Sequence, residues 1–194
     1  MTPTLSKIVW LVFVVGWALL RLNPNRHARK TTVRYSARGI RETVLLAVSF
    51  TGLGIVPCVY VATHVLRFAD YPFVPVASYL GIAVDVASLW LFFLTHRDLG
   101  RNWSVSLDLR ERHTLVTTGI YAAVRHPMYA GFWLMALAQV LLLPNWVAGP
   151  AGLVGFGVLF FGRVRREEEM MIAAFGEEYR SYMRRTARVV PWLY

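Results

Sequence analysis

The sequence predicts an all-helical, polytopic membrane protein with about five transmembrane helices. The last two form a short helical hairpin, and a cytosolic C-terminal helix follows. Composition is the first observation behind this. Of 194 residues, 56% are hydrophobic and 16% charged, where an ordinary soluble domain carries about 25% charged residues. The second is a positive mean hydropathy of +0.45. The third is the layout of charge, which falls in blocks between apolar stretches.

A helix needs about 20 apolar residues to cross a bilayer. The first candidate is Leu5–Leu20, read as a retained helix because it lacks a basic leader and a small-residue cleavage site. The second, Val44–Leu66, is interrupted by Gly52, Gly54 and Pro57. The third is Val74–Leu94. The fourth and fifth, Tyr129–Leu143 and Trp146–Phe161, are short and separated by a tight turn at Pro144–Asn145. Gly149, Gly152, Gly155 and Gly157 give the fifth helix small-residue contacts for close packing. The chain reads as one integral membrane domain over 1–194, with residues 1–95 holding the N-terminal helices and 96–194 most of the polar chemistry.

Nineteen of the 21 lysines and arginines fall in residues 21–43, 96–128 and 163–194. Only Lys7, near the start of the first span, and Arg67, between the second and third, fall on the other side. With the N-terminus outside, five helices put nearly all positive charge in the cytosol. The net charge of +10 then belongs to loops beside anionic headgroups and not to nucleic-acid binding. Cys58 is the only cysteine, which excludes an intramolecular disulfide and a cysteine zinc cluster. The five histidines have no metal-ligand spacing, so no metal site is expected. Asp85 lies within the third span, where a charge is costly. It is expected to pair with His64 or a backbone group, in a functional or a structural role.

Three constellations carry polar chemistry. In Arg125-His126-Pro127-Met128-Tyr129, Pro127 suits the first turn of a helix, and the free N–H groups there attract an anion. A helix cap with a snorkelling arginine is the simpler alternative. His113 to Tyr121 ends in a glycine turn and suits either the wrapping of an adenine or an ordinary loop. Arg163 and Glu167 are four residues apart, one helical face. They precede Phe175-Gly176-Glu177-Glu178-Tyr179, and the whole stretch Arg163 to Tyr182 also reads as an amphipathic interfacial helix with Met171, Phe175, Tyr179 and Tyr182 on its apolar side.

In this order the pieces resemble the isoprenylcysteine carboxyl methyltransferase family, in a compact form similar to prokaryotic members, archaeal ones included. The likeness rests on Leu115-Val116-Thr117-Thr118-Gly119-Ile120-Tyr121, on Arg125-His126-Pro127-Met128-Tyr129-Ala130-Gly131, and on Glu167-Glu168 followed by Phe175-Gly176-Glu177-Glu178-Tyr179, Tyr182 and Val190-Pro191. It covers about 99–194. The resemblance implies an S-adenosylmethionine site built on membrane helices. It implies cofactor contacts from His113, Thr114, Leu115, Val116, Tyr121, His126, Pro127, Met128, Tyr129 and Glu167, with Arg163 and Glu167 catalytic and Arg163 meeting the substrate.

The activity so implied is methylation of the carboxylate of a prenylcysteine-like lipophilic acceptor at the cytosolic membrane face. The partners are that acceptor and membrane lipids, with oligomeric state open. The membrane is the cell membrane in a prokaryote and the endoplasmic reticulum in a eukaryote. Phospholipid amine N-methyltransferases and NADPH-dependent membrane reductases are rivals with similar C-terminal regions, and a non-enzymatic membrane scaffold is a third. The reductases carry Arg-Asp and Lys-Tyr-Gly elements where this chain has Glu167-Glu168 and Phe175-Gly176. Arg163 suits a carboxylate acceptor better than an amine.

Overall fold

The computed structural model describes the backbone of residues 1–29, 33–36, 39–100, 108–110 and 114–191, and side chains within 1–22, 39–100 and 114–191. The fold is helical. Helix α1 is Pro3–Arg29. Helix α2, Ile40–Phe50, runs through a π-helical turn at Thr51–Ile55 into α3, Val56–Ala62. Helix α4 is Pro75–Leu99, α5 is Pro127–Leu142, α6 is Ala148–Phe175 and α7 is Glu177–Arg185. A short antiparallel ribbon, β1 (Val33–Ser36) with β2 (Asp108–Arg110), joins two of the connecting segments. The hydropathy pattern gave no signal for it.

Pro3–Leu22, Ile40–Ala62 and Pro75–Leu99 are long and apolar enough to cross a membrane. The second is not broken at its glycines. Pro57 has no N–H, and its ring crowds the carbonyl four residues back. The wider π turn absorbs that conflict, and the rod continues to Ala62. It stops there, short of the expected Leu66, because Thr63 turns extended and its hydroxyl donates to the Val59 carbonyl at 2.7 Å. Helix α5 has 16 residues, about 24 Å of rise, less than the roughly 30 Å of a hydrocarbon core.

The helix that carries the apolar stretch Trp146–Phe161 runs on beyond it: α6 ends at Phe175. No proline lies between Pro150 and Gly176, so no backbone N–H is missing and the apolar half and the charged half form one rod. It ends where Gly176 takes a φ of +57°, which glycine adopts without penalty. Asn145 fixes the connection from α5 to α6. Its amide donates to the Leu66 carbonyl at 2.7 Å and to Asp70 at 2.8 Å, and its side-chain oxygen accepts from the N–H groups of Val147 and Ala148.

Helix α6 sits at the centre. Leu53, Tyr129, Ala136, Phe156, Leu159, Phe160 and Val164 form one buried cluster between α2, α5 and α6. Glycines set the α2–α6 spacing. A Cβ on Gly52 would meet the Ala151 carbonyl at 2.2 Å, and one on Gly155 the Val48 carbonyl at 2.7 Å. A second cluster, with Trp10, Tyr60, Ala138, Leu142 and Leu143, ties α1 and α3 to the far end of α5. At that end the Ser6 hydroxyl donates to the Leu142 carbonyl at 2.6 Å, and Lys7 lies 3.8 Å from the centre of the Tyr60 ring. Asp85 is 3% exposed, on the same face of α4 as Gly81, which abuts Leu142, and Ser88, which bonds the Gly131 carbonyl. His64 is exposed beyond the end of α3, and no ion pair joins it to Asp85 among the described residues.

Candidate active site

The charged ends of α2, α5 and α6 converge at the end of the bundle opposite Lys7. Three backbone features present them. Pro127 starts α5 after His126, as its missing N–H allows. Residues 124–126 pair with the chain after α7: Val124 bridges Ala187, the Arg125 N–H donates to the Ala187 carbonyl at 2.9 Å, and the His126 N–H to the Arg188 carbonyl at 2.9 Å. Gly119 turns at φ +63°, where the Asp98 carboxylate accepts the Ile120 N–H at 2.9 Å.

Adjacent acids on α6 divide the work. Glu168 is 4% exposed. Arg125 Nε donates to it at 3.1 Å, and Arg188 grips both oxygens, at 3.1 and 2.7 Å. The His126 ring lies 3.4 Å away. Burial alone would raise the Glu168 carboxyl, but the bonds and charges of His126 and Arg188 outweigh it and hold it at about 2. Arg125 also donates to the carbonyls of Met183 and Thr186. Glu168 is therefore the pin that fastens the tail to the start of α5.

Glu167 faces the other way and its side chain is 28% exposed. The Tyr129 hydroxyl donates to it at 2.5 Å, and His126 Nδ1 lies 3.9 Å away. The His126 ring stacks on Tyr129, with centroids 5.3 Å apart. One turn back on α6, Arg163 places Nε 3.6 Å from Glu167 and Nη1 3.0 Å from Glu42 of α2. Arg163 and Glu42 are 8% and 7% exposed. Tyr121 is buried, and its phenol is pushed up by burial first and by the Glu167 charge second. The Tyr182 hydroxyl donates to the Tyr121 carbonyl at 2.6 Å, which ties α7 to the Gly119 turn.

Of the residues expected from the sequence, Arg163, Glu167, Tyr129, His126 and Tyr121 are thus brought together. Pro127 is buried and Met128 half-buried in the first turn of α5. Thr114, Leu115 and Val116 lie in non-helical chain before the Gly119 turn, Thr114 exposed and the other two half-buried. His113 lies outside the described residues. Sequence reasoning missed Glu42, and the split of roles between Glu167 and Glu168. The available signal for Glu42 was that it is the one acid in the basic stretch 21–43.

One half-buried carboxylate held by a phenol, beside a buried guanidinium, offers a cation seat and an anion seat side by side. The family model for isoprenylcysteine carboxyl methyltransferases matches residues 79–173, the stretch that holds Tyr121, His126, Tyr129, Arg163 and Glu167. Over that stretch, just under half of its length, the chain is similar to the isoprenylcysteine carboxyl methyltransferase family.

Relatives agree with this. A protein-S-isoprenylcysteine O-methyltransferase of Schizosaccharomyces pombe is 38% identical over 79 residues, covering 41% of this chain and 34% of that protein. The human protein of the same name is 34% identical over 92 residues, 47% of this chain and 32% of its own. The match thus spans about a third of each of these two curated relatives. A probable protein-S-isoprenylcysteine O-methyltransferase of Oryza sativa subsp. indica is 25% identical but covers 86% of this chain and 85% of its own length. The solved structure of the eukaryotic intramembrane Ras methyltransferase ICMT superposes with a TM-score of 0.52 at 23% identity, over 78% of this chain and 52% of that one. That likeness places the present helices in the same membrane fold. The family model leaves out Glu42, Tyr182 and Arg188, so the α2 and tail contributions to the site come from outside the matched stretch.

Proposed function

We propose that this chain transfers the methyl group of S-adenosylmethionine to the carboxylate of a prenylcysteine-like lipophilic acceptor at the cytosolic membrane face. The observation that carries the reading is the triad of Arg163, Glu167 and Tyr129, with Glu167 partly open to water and Arg163 buried. In the bilayer α1, α2–α3, α4, α5 and the apolar part of α6 are the five crossings, the last two a hairpin, with the N-terminus outside. This sets Lys7 and Arg67 against the remaining basic residues and puts the triad on the cytosolic side.

The residues fit the cofactor. When bound, S-adenosylmethionine supplies an electrophilic methyl group on a sulfonium. Glu167 suits its cationic end, with Tyr129 fixing the carboxylate by a 2.5 Å bond. The stacked rings of His126 and Tyr129 offer an apolar wall, and the Gly119 turn, Tyr121 and residues 114–116 suit its nucleoside.

The acceptor carboxyl has an intrinsic pKa near 3.5 and is ionised at neutral pH, so the site needs no general base. Arg163 takes one acceptor oxygen and leaves the other free to attack, a pairing that a planar guanidinium makes with defined geometry. An anion and a cation become two neutral groups, so a water-poor site at the membrane edge favours the transfer. The prenyl tail is accommodated by lateral entry between helices.

A labelled-methyl assay on the purified chain, with a prenylcysteine acid, a phospholipid amine and buffer alone, tests the reading. Label is expected on the acid only. Label on the amine instead would move the chain to the amine methyltransferases. No transfer and no heat on titration with S-adenosylhomocysteine would leave a non-enzymatic membrane protein.

A further inference from the structure

Helix α2 lies outside the stretch matched by the family model and carries no motif. Its first turn nevertheless grips α6 at two successive residues. Arg41 donates to the Gly162 carbonyl at 2.9 Å, and Glu42 pairs with Arg163 Nη1 at 3.0 Å. Below these contacts the helices are held in register by the absence of side chains. A Cβ on Gly162 would touch Leu45 at 3.0 Å, one on Gly155 the Val48 carbonyl, and one on Gly52 the Ala151 carbonyl. Backbones this close fix where Glu42 arrives. Glu42 also sits in the first turn of α2, where the helix dipole favours a carboxylate.

A guanidinium on a long stem at a membrane edge tends to extend toward water. Here the outward partner is Glu167, one turn along, at 3.6 Å from Nε. Closed to hydrogen-bond distance, that pair would occupy both the cation seat and the anion seat. Glu42 pulls from the opposite side at 3.0 Å. Resting on the methyl-transfer reading above, we propose that Glu42 is a positioning residue for that reaction: it holds the Arg163 guanidinium back from Glu167, so that the one can meet the acceptor carboxylate and the other the cofactor. Glu42 itself touches neither reactant.

The test compares the full chain with E42Q, E42D and L45A in lipid nanodiscs. L45A loosens the same α2–α6 contact without touching the ion pair. The readouts are kcat and acceptor KM by labelled-methyl transfer to a prenylcysteine acid, and S-adenosylhomocysteine affinity by calorimetry. Misplacing a reacting group by about 1 Å costs about a hundredfold in rate. E42Q is therefore expected to lose at least roughly tenfold in kcat/KM for the acceptor, and product affinity is expected to fall with it, because the closed Arg163–Glu167 pair would occupy both seats. E42D, which keeps the charge, is expected to recover part of the loss. L45A is expected to be less stable but near wild type in kcat per folded molecule. E42Q with wild-type kcat and KM in an active preparation overturns the proposal. So does L45A losing acceptor turnover and product affinity per folded molecule as E42Q does, as a packing defect would. A wild-type chain that transfers no label to any acceptor overturns the methyl-transfer reading, and the role of Glu42 falls with it.

Discussion

Replacing Glu168 by glutamine keeps the shape of the tail pin and removes its charge. The wild-type carboxyl is held at about 2 against an ordinary 4.5, which corresponds to about 3 kcal/mol of stability at neutral pH. A second route gives a similar figure: cutting one partner out of a buried ion pair costs about 3–5 kcal/mol, and Glu168 and Arg125 are 5% and 9% exposed at the side chain. Because the folded state holds the carboxyl below its unfolded value, this stability is fully present above pH 4.5 and is lost as pH falls toward 2. The assay is equilibrium unfolding in mixed micelles by tryptophan fluorescence, at several pH values from 7 to 2. Wild type and E168Q are expected to differ by about 3 kcal/mol at pH 7, and the gap to close as the solution is acidified. A gap below about 1 kcal/mol at pH 7, typical of an exposed pair, or a gap that ignores pH, would refute the assignment of Glu168 as a buried pin.

Other outcomes follow from the same geometry. R163A and E167A are each expected to lower methyl transfer about a hundredfold or more while the chain stays folded; near wild-type turnover in either would reject its assignment. N145A removes the bonds that hold the α5–α6 connection to Leu66, Asp70 and the start of α6. It is expected to cost about 2–4 kcal/mol, since several buried donors and acceptors lose partners together; the same micelle titration measures it. G52A drives a methyl group against the Ala151 carbonyl and is expected to cost about 1–3 kcal/mol as an overpacked contact. An unchanged melting temperature would show that α2 and α6 have room to part.

Much of this was legible in the residues. Apolar length found the cores of α1, α4 and α5, and the glycines of α6 announced its close packing. The motif around His126 and the Arg163–Glu167 spacing picked out side chains that the fold brings together, because an i, i+4 pair and a helix-starting proline are local features. What escaped was non-local. Nothing near Glu42 in sequence says that it meets a residue 121 positions away. Glu167 and Glu168 are identical as letters, and only the direction each faces on α6 separates an open carboxylate from a buried one. The π turn was hidden for a related reason: glycine and proline read as breakers, and the packing that keeps such a helix continuous comes from α6.

The pairing of residues 124–126 with Ala187 and Arg188 also sets an order in time. Residues 186–188 follow α6 in the chain, so the helices can pack against one another before Arg188 reaches Glu168. Assembly of the helical bundle and closure of the Glu168 cluster are therefore separable, the second waiting on a tail that has folded back onto residues 124–126.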